Sequence, residues 1–567
     1  MRPIQTNATV RIDPATLVDH PLSKERIAVY NSGLVPFERY ERDAACIAST
    51  SPESLRIDLG WGAEWMPWTR DVVAEADDGS MRYEFDETDR IAKLLDHAGV
   101  RPYWSYCYVP KAARVSGGDW RMMGSDDSVW VRAVEDYVGG MRARGVSVGY
   151  HEVYNEPDLR DERTNGATFY AGQLEDYLDL YRATARAIRA ADPTARIGGP
   201  ALAVPGDHAE WLDAFLQMVS AEDLPLDFLS FHHYGHFGIE GALRNVRESL
   251  ARFPELRHVE LHLNEYNAFS IDYPRGGLQD GHHLASTFAA ELSRLLSHRE
   301  LTRTHWAQFL DSDHGNYSGM VDIDGAPKPI YAVYTFYQHM PIDRARCDVD
   351  GPPGVGGIAS ASAEQTAAIV WNRHFADVSV EVSIAGADGD LTATVIDGSG
   401  VGAEHPLTVQ GGRAQLHLPA GAVALLRVGE QFGEPVRRRA WGVPVVTSAA
   451  HTGWSDLDEA TATFRFGTGT HDGWVIHGAD LLDGMDVEEW QVSVRTADGA
   501  PADASVLIHH EDGEGVSEYA LRGQAELAWD DVLPSRPRPA NSRRVFVAVA
   551  APAHTFVRVS PRERVAS

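Results

Sequence analysis

Two glutamates, Glu156 and Glu265, each close a strand-like apolar run, His151-Glu152-Val153-Tyr154-Asn155-Glu156-Pro157 and Leu261-His262-Leu263-Asn264-Glu265. Period-two alternation places Glu152, Tyr154 and Glu156 on one face of the first run, and Leu261, Leu263 and Glu265 on one face of the second. Two carboxyl groups about 5–5.5 Å apart can cleave a glycosidic bond with retention. One gives a proton to the leaving oxygen while the other attacks the anomeric carbon. A lone strand-end Glu is ordinarily a salt-bridged structural acid. Two at equivalent strand ends, one between Asn155 and Pro157, favour the chemical role.

The elements that must bring these acids together alternate in type. Strand-like runs at 27–35, 54–60, 101–109, 148–155, 195–202, 226–234, 258–266 and 304–310 are separated by helical patterns. The strongest of these are WVRAVEDYVGGMRARG, FYAGQLEDYLDLYRATARAIRAADP and HHLASTFAAELSRLLSHRE, with apolar residues at three- and four-residue spacing. PIYAVYTFYQHM follows the eighth strand. Eight β-then-α units over residues 27–341 predict a TIM barrel, whose active site lies at the C-terminal strand ends. An open doubly wound sheet is the alternative, but no Gly-rich phosphate loop follows the first strand. After Met340 short alternating runs predict β-sandwiches. The expected class is thus α/β, a (β/α)8 TIM barrel followed by all-β sandwich domains. Its parts are an N-terminal segment 1–26 adding a strand to a β-domain, a catalytic barrel 27–345, a β-sandwich 346–432 and a second one 433–567.

Composition narrows the partners. Of 567 residues, 44% are apolar, and the formal charge is −31. Phosphate binding rests on Lys and Arg, so this balance argues against nucleic acid and anionic membranes. Three scattered cysteines (Cys46, Cys107, Cys347) make neither a disulfide framework nor a Cys-rich zinc site. FHHYGHF offers His232, His233 and His236, with His262, His305 and His314 elsewhere, but no HExxH occurs, and no metal or other cofactor is expected. No signal-like or membrane-length apolar run is visible, so the sequence expectation is cytoplasmic. A homo-oligomer is compatible with the sequence, which does not fix the oligomeric state.

The motifs resemble clan A glycoside hydrolases and, within them, family 39, known for β-xylosidases and α-L-iduronidases. HEVYNEPDL resembles that family's E-V-W-N-E-P-N run and HLNEYNAF its nucleophile strand. ARIGGPAL, DFLSFHHYG, THWAQF and GAPKPIYAVYTFYQHM resemble strands five, six and eight and the closing helix. The likeness covers about residues 55–341, with a family-like sandwich after it. It implies that Glu156 is the acid/base, Glu265 the nucleophile and Arg56 the arginine beside it. Asn155 would contact the sugar 2-hydroxyl, Tyr234 would bond Glu265, His232 would donate near the acid, and Trp306 would floor the sugar site. Structural alternatives stand beside these: a buried ion pair of Arg56 with Asp58 or Glu152, a satisfied barrel histidine, a core tryptophan.

Where family xylosidases carry Arg-x-His on strand two, this chain has Arg56-Ile57-Asp58. Asp58 puts an acid near the glycone and would repel a uronic acid carboxylate. Trp61, Trp65 and Trp68, with Trp104, Tyr106 and Tyr108, are candidate aromatic faces for a sugar or aglycone, or else loop packing. The expected function is retaining glycoside hydrolysis, β-xylosidase-like and exo-acting on small glycosides. Other activities of that family type (arabinofuranosidase-, diglycosidase- or iduronidase-like) and a non-catalytic carbohydrate-binding protein are the alternatives. The sugar, its anomer and exo versus endo action are not fixed by the sequence.

Overall fold

The computed structural model describes residues 7–18, 21–22, 24–61, 63, 73–115, 118–124, 126–161, 166–206, 208–235, 239–268, 281–311, 319–323, 325–374, 376–386, 391–429 and 500–501, and the backbone of ten strands between 445 and 563. Eight strands close into a parallel barrel: Ile27–Asn31, Ser54–Asp58, Arg101–Tyr106, Tyr150–Val153, Ile197–Leu202, Phe228–Tyr234, Glu260–Asn267 and Leu301–Ala307, here barrel strands one to eight. The eighth pairs with the first, His305 with Ala28 and Ala307 with Tyr30. This is the predicted eight-unit barrel.

Its helices form where the sequence supplies both a stripe and a boundary. In Leu174–Ala191 the side chains Tyr177, Leu180, Tyr181, Thr184, Ala185 and Ile188 recur at helical spacing and are buried. Asp176 accepts the backbone N–H of Gln173 at 2.8 Å, half of a reciprocal cap. The helix stops at Asp192, just before Pro193.

The barrel interior is aromatic and polar rather than aliphatic. Tyr103, Tyr150 and Phe228 form one buried cluster, with the His262 imidazole stacked on Phe228 at 4.5 Å. Gly198 pairs with Phe228, and a Cβ there would stand 2.3 Å from the Phe228 ring, so only glycine leaves room for that layer. Nearer the strand starts, Arg303 bonds the Tyr150 hydroxyl and pairs with Glu53 at 3.2 Å, while Arg196 pairs with Glu260 at 2.7 Å. Above the aromatic layer the inward positions carry the charged groups of the candidate site.

The chain divides into two compact units, Ser23–Ile271 with Leu295–Asp313, which holds the barrel, and Met1–Leu22 with Asp272–Arg294 and His314–Ser567. In the second, strand Asn7–Leu17 lies between Arg344–Asp350 (antiparallel) and Val378–Ile384 (parallel) in a ten-stranded sheet. Val10, Ile12, Val380, Val382, Ala368, Leu416 and Leu426 share its core. Further along the chain are two five-stranded sheets. No helix among the described residues is long and apolar enough to cross a membrane.

Truncating a full aromatic layer member leaves a cavity that the rigid barrel cannot close. Phe228→Ala should therefore cost about 3–5 kcal/mol, read as a lower urea midpoint of the barrel's unfolding transition. A midpoint within experimental scatter of the parent would show that the layer is not tightly packed.

Candidate active site

Arg56 on strand two is the centre of the barrel mouth. It is fully buried, with hydrogen bonds to four acceptors and an ion pair to a fifth group. Nε donates to Glu152 Oε2 at 2.7 Å and Nη1 to Glu265 Oε2 at 3.3 Å. Nη2 donates to Asn155 Oδ1 at 2.8 Å and to Ser105 Oγ at 3.4 Å. Asp58 Oδ1 lies 3.2 Å from Nη1, and the guanidinium covers the Tyr30 ring at 4.7 Å. Tyr30 in turn donates to Asp58 Oδ2 at 2.6 Å. Strand parity accounts for most of this: Arg56 pairs with Tyr103 and Asp58 with Ser105, and Ser105 pairs with Glu152, all facing inward.

The two candidate acids arrive by irregular backbone, not by the simple alternation expected. Strand four ends at Val153, and both Tyr154 (φ 73°) and Glu156 (φ 45°) are left-handed. Tyr154 consequently does not share the Glu152 face. Its ring packs edge-on to Tyr108 and Tyr170. The Glu156 turn is held by its own N–H, which donates to the Ala201 carbonyl at 3.1 Å. On strand seven, Leu261 and Leu263 have the parity opposite to His262, which lies in the interior aromatic layer. Strand six pairs Phe231 with Leu263 but His232 with Glu265, and strand eight pairs Thr304 with Leu263 but Trp306 with Tyr266. One extra residue is therefore accommodated at Asn264–Glu265. This bulge turns both side chains inward, a common device beside functional sites. Asn264 bonds Glu152 and the Tyr103 hydroxyl (3.2 Å) below, and Glu265 emerges above.

A carboxylate oxygen of Glu156, one of Glu265 and a His232 nitrogen all lie within 4.8 Å of one another. His232 Nδ1 is 2.8 Å from Glu156 Oε1 and 3.4 Å from Glu265 Oε2, so a proton on Nδ1 serves both acids. Tyr234 Oη donates to Glu265 Oε1. Burial pushes the Glu156 carboxyl up to about 8, reinforced by the negative charges of Asp158 and Asp58 and opposed by Arg56. Burial also raises Glu265, while His232 and Arg56 draw it back. Burial lowers His232, which favours the neutral imidazole. Such a set can supply one proton-donating acid beside one carboxylate ringed by donors. Among the described residues these three groups are also the one His/Cys/Asp/Glu cluster tight enough to share an ion. A cation between them would displace the hydrogen of Nδ1.

The structure thus brings together Glu156, Glu265, Asn155, Arg56, Asp58, His232 and Tyr234. The ion pairs of Arg56 with Asp58 and with Glu152 coexist with its contact to Glu265. Three expected sugar contacts lie elsewhere. Trp104 pairs in register with Ile57 and His151, opposite in parity to Tyr103 and Ser105, so it faces away from the interior. Trp61 is buried edge-on to Tyr106 and Tyr137, beside Trp130 of helix Ser128–Ala143. Trp306 shares the parity of Val29 and Tyr266, opposite to inward His305 and Tyr30, and meets Tyr266 edge-on at 5.4 Å. All three are wall packing. Tryptophan content alone does not say which side of a strand it will occupy. Trp65, Trp68, His236 and His314 lie outside the described residues. His262 and His305 belong to the interior, bonded to Glu260 and Ser54. Sequence reasoning passed over Tyr30, Ser105 and Asn264, and took Tyr108 only as an aromatic face. The inward parity of Tyr30 and Ser105 was available. Tyr108 accepts from Asn155 Nδ2 at 3.4 Å in a loop without periodicity.

The model of glycosyl hydrolases family 39 matches residues 48–403. A β-xylosidase of Geobacillus stearothermophilus is 27% identical over 307 residues, 46% of this chain and 57% of that enzyme. A β-xylosidase of Caldicellulosiruptor saccharolyticus is 23% identical over 344 residues, 55% of this chain and 68% of that one. The chain spans little more than half the length of the first relative. In fold it is similar to a GH39 enzyme from Xanthomonas axonopodis pv. citri, with TM-score 0.60 and 19% identity over 76% of this chain and 98% of that one.

The raised Glu156 makes a prediction independent of any activity. Folded, the group holds its proton to about pH 8, while an unfolded glutamate releases it near 4.5. Its stabilising contribution is complete below 4.5 and is lost as pH rises through 8. Glu156→Gln cannot ionise. The variant should melt with the parent near pH 5 and above it at pH 9, by about 2 °C or more. Calorimetry at the two pH values checks this, and a difference that does not grow with pH would contradict it.

Proposed function

The chain belongs to glycosyl hydrolases family 39, and from that membership we propose that it is a retaining glycoside hydrolase, β-xylosidase-like and exo-acting on small glycosides or oligosaccharides. The observation that carries the reading is the short separation of Glu156 and Glu265, with oxygens within 4.8 Å. Retaining pairs sit about 5–5.5 Å apart, whereas inverting pairs leave about 6.5–9.5 Å for a water. The β-xylosidase relatives support the sugar class.

The chemistry assigned to each acid follows its surroundings. Protonated Glu156 gives its proton to the glycosidic oxygen as the C1–O bond breaks. Glu265, held by Tyr234, Arg56 and His232, attacks C1 and becomes a glycosyl ester. Glu156, now a carboxylate, takes a proton from water as that water attacks C1. The ester bond breaks, and Glu265 regains its charge. Asn155, fixed by Arg56 through Oδ1 and donating one Nδ2 hydrogen to Tyr108, has its second Nδ2 hydrogen for the sugar 2-hydroxyl, a contact that strengthens at the oxocarbenium-like transition state. Asp58 leaves the mouth with an excess of negative charge around one guanidinium, which supports a neutral glycone over a uronic acid.

Aryl glycosides test the roles. With an activated phenol, Glu156→Ala should still glycosylate at Glu265 and stall at deglycosylation, and azide should restore turnover as the retained glycosyl azide. With a poor leaving group its rate should fall about 10²–10⁴-fold. Glu265→Ala should lose the first step, with azide giving only the inverted product. The same azide anomer from both variants, or full activity in either, would refute the assignment.

A further inference from the structure

A second acid fixes the loop that carries Glu156. Asp158 is fully buried two residues after it. Its Oδ1 accepts the N–H of Ala203 at 2.8 Å, and its Oδ2 accepts that of Val204 at 3.1 Å and lies 3.3 Å from His208 Nδ1. These partners belong to the segment between strand five and helix Ala209–Glu222. With the bond from the Glu156 N–H to the Ala201 carbonyl of strand five, the end of that strand and the segment after it hold the acid loop at its left-handed residue and two residues beyond. Two peptide N–H groups on two oxygens select a carboxylate, because an amide would turn one oxygen into a donor facing a donor. The motif E-V-W-N-E-P-N has Asn at this position, where the present chain has Asp.

The charge has a second effect. Around Glu156 stand His232, Glu265, Arg56, Asp58 and Asp158. Around Asp158 stand His208, Arg160 and Tyr177. Among the acids bearing on Glu156, the negative charge of Asp158 opposes ionisation more than that of Asp58.

We propose that Asp158 is the positioning residue of the acid: its carboxylate pins the Glu156 loop to the strand-five segment and keeps a buried negative charge two residues from the group that donates the proton. This rests on the reading of Glu156 as general acid. For an aryl glycoside with a poor leaving group, kcat/KM falls as pH rises through the ionisation of that acid. Asp158→Asn and Asp158→Ser, both neutral, should move this alkaline limb to lower pH by about half a unit or more, a threefold change in the ionisation constant. Asp158→Glu, which keeps the charge, should leave the limb in place even where activity drops. A merely structural role would lower activity at every pH without displacing the limb. Should the neutral variants not fold, His208→Arg sets a fixed cation against Asp158 and must move the limb in the same direction. An unmoved limb in a folded neutral variant or in His208→Arg overturns the proposal, as does an equal displacement in Asp158→Glu. A parent enzyme inactive on every aryl glycoside would instead defeat the general-acid reading.

Discussion

One guanidinium organises the barrel mouth. Arg56 is fully buried, and a buried cation of that kind persists only if its donors are met by acceptors and its charge by opposite charges. Glu152 and Asp58 meet two sides, Glu265 a third, and Asn155 and Ser105 take what remains. The requirement runs downward as well. Glu152 needs Asn264 and Tyr103 for its other oxygen, and Asn264 reaches it only because strand seven bulges. A lysine would present a point charge without the planar fork that reaches three strands at once. The positions of the proposed acid and nucleophile are thus consequences of neutralising one cation in a dry place.

His232 joins that arrangement to the acids. Its Nδ1 lies between the two carboxyl groups, while its Nε2 has no hydrogen-bond partner among the described residues. Whichever carboxylate carries more negative charge draws that N–H more strongly. The imidazole therefore responds to the charge state of the pair, without itself needing to change charge.

What the sequence made legible follows from regularity. Arg56, Asp58, Glu152, His232 and Tyr234 sit inside regular strands, and alternation alone puts them on the inner face. Glu156 and Glu265 lie close together, as expected of two strand-end acids, but a left-handed turn and a bulge deliver them rather than the expected alternation. Neither device has a signature in a residue pattern read with period two. The tryptophans misled for a related reason. Trp104 is one residue from Tyr103, and that single step separates the wall from the interior. An aromatic ring is equally at home in either apolar setting.

The N-terminal strand has a consequence for how this chain is made. Asn7–Leu17 is an internal strand of its sheet, yet both neighbours, Arg344–Asp350 and Val378–Ile384, lie more than 300 residues downstream. At ribosomal speeds of about 5–20 residues per second, Val10 and Ile12 wait on the order of tens of seconds for the strands that will cover them. Throughout that interval the strand has two open edges, and the whole barrel is translated before it can be paired. Order of synthesis and order of assembly are therefore opposed for this strand, which is made before the barrel and can find its place only after it.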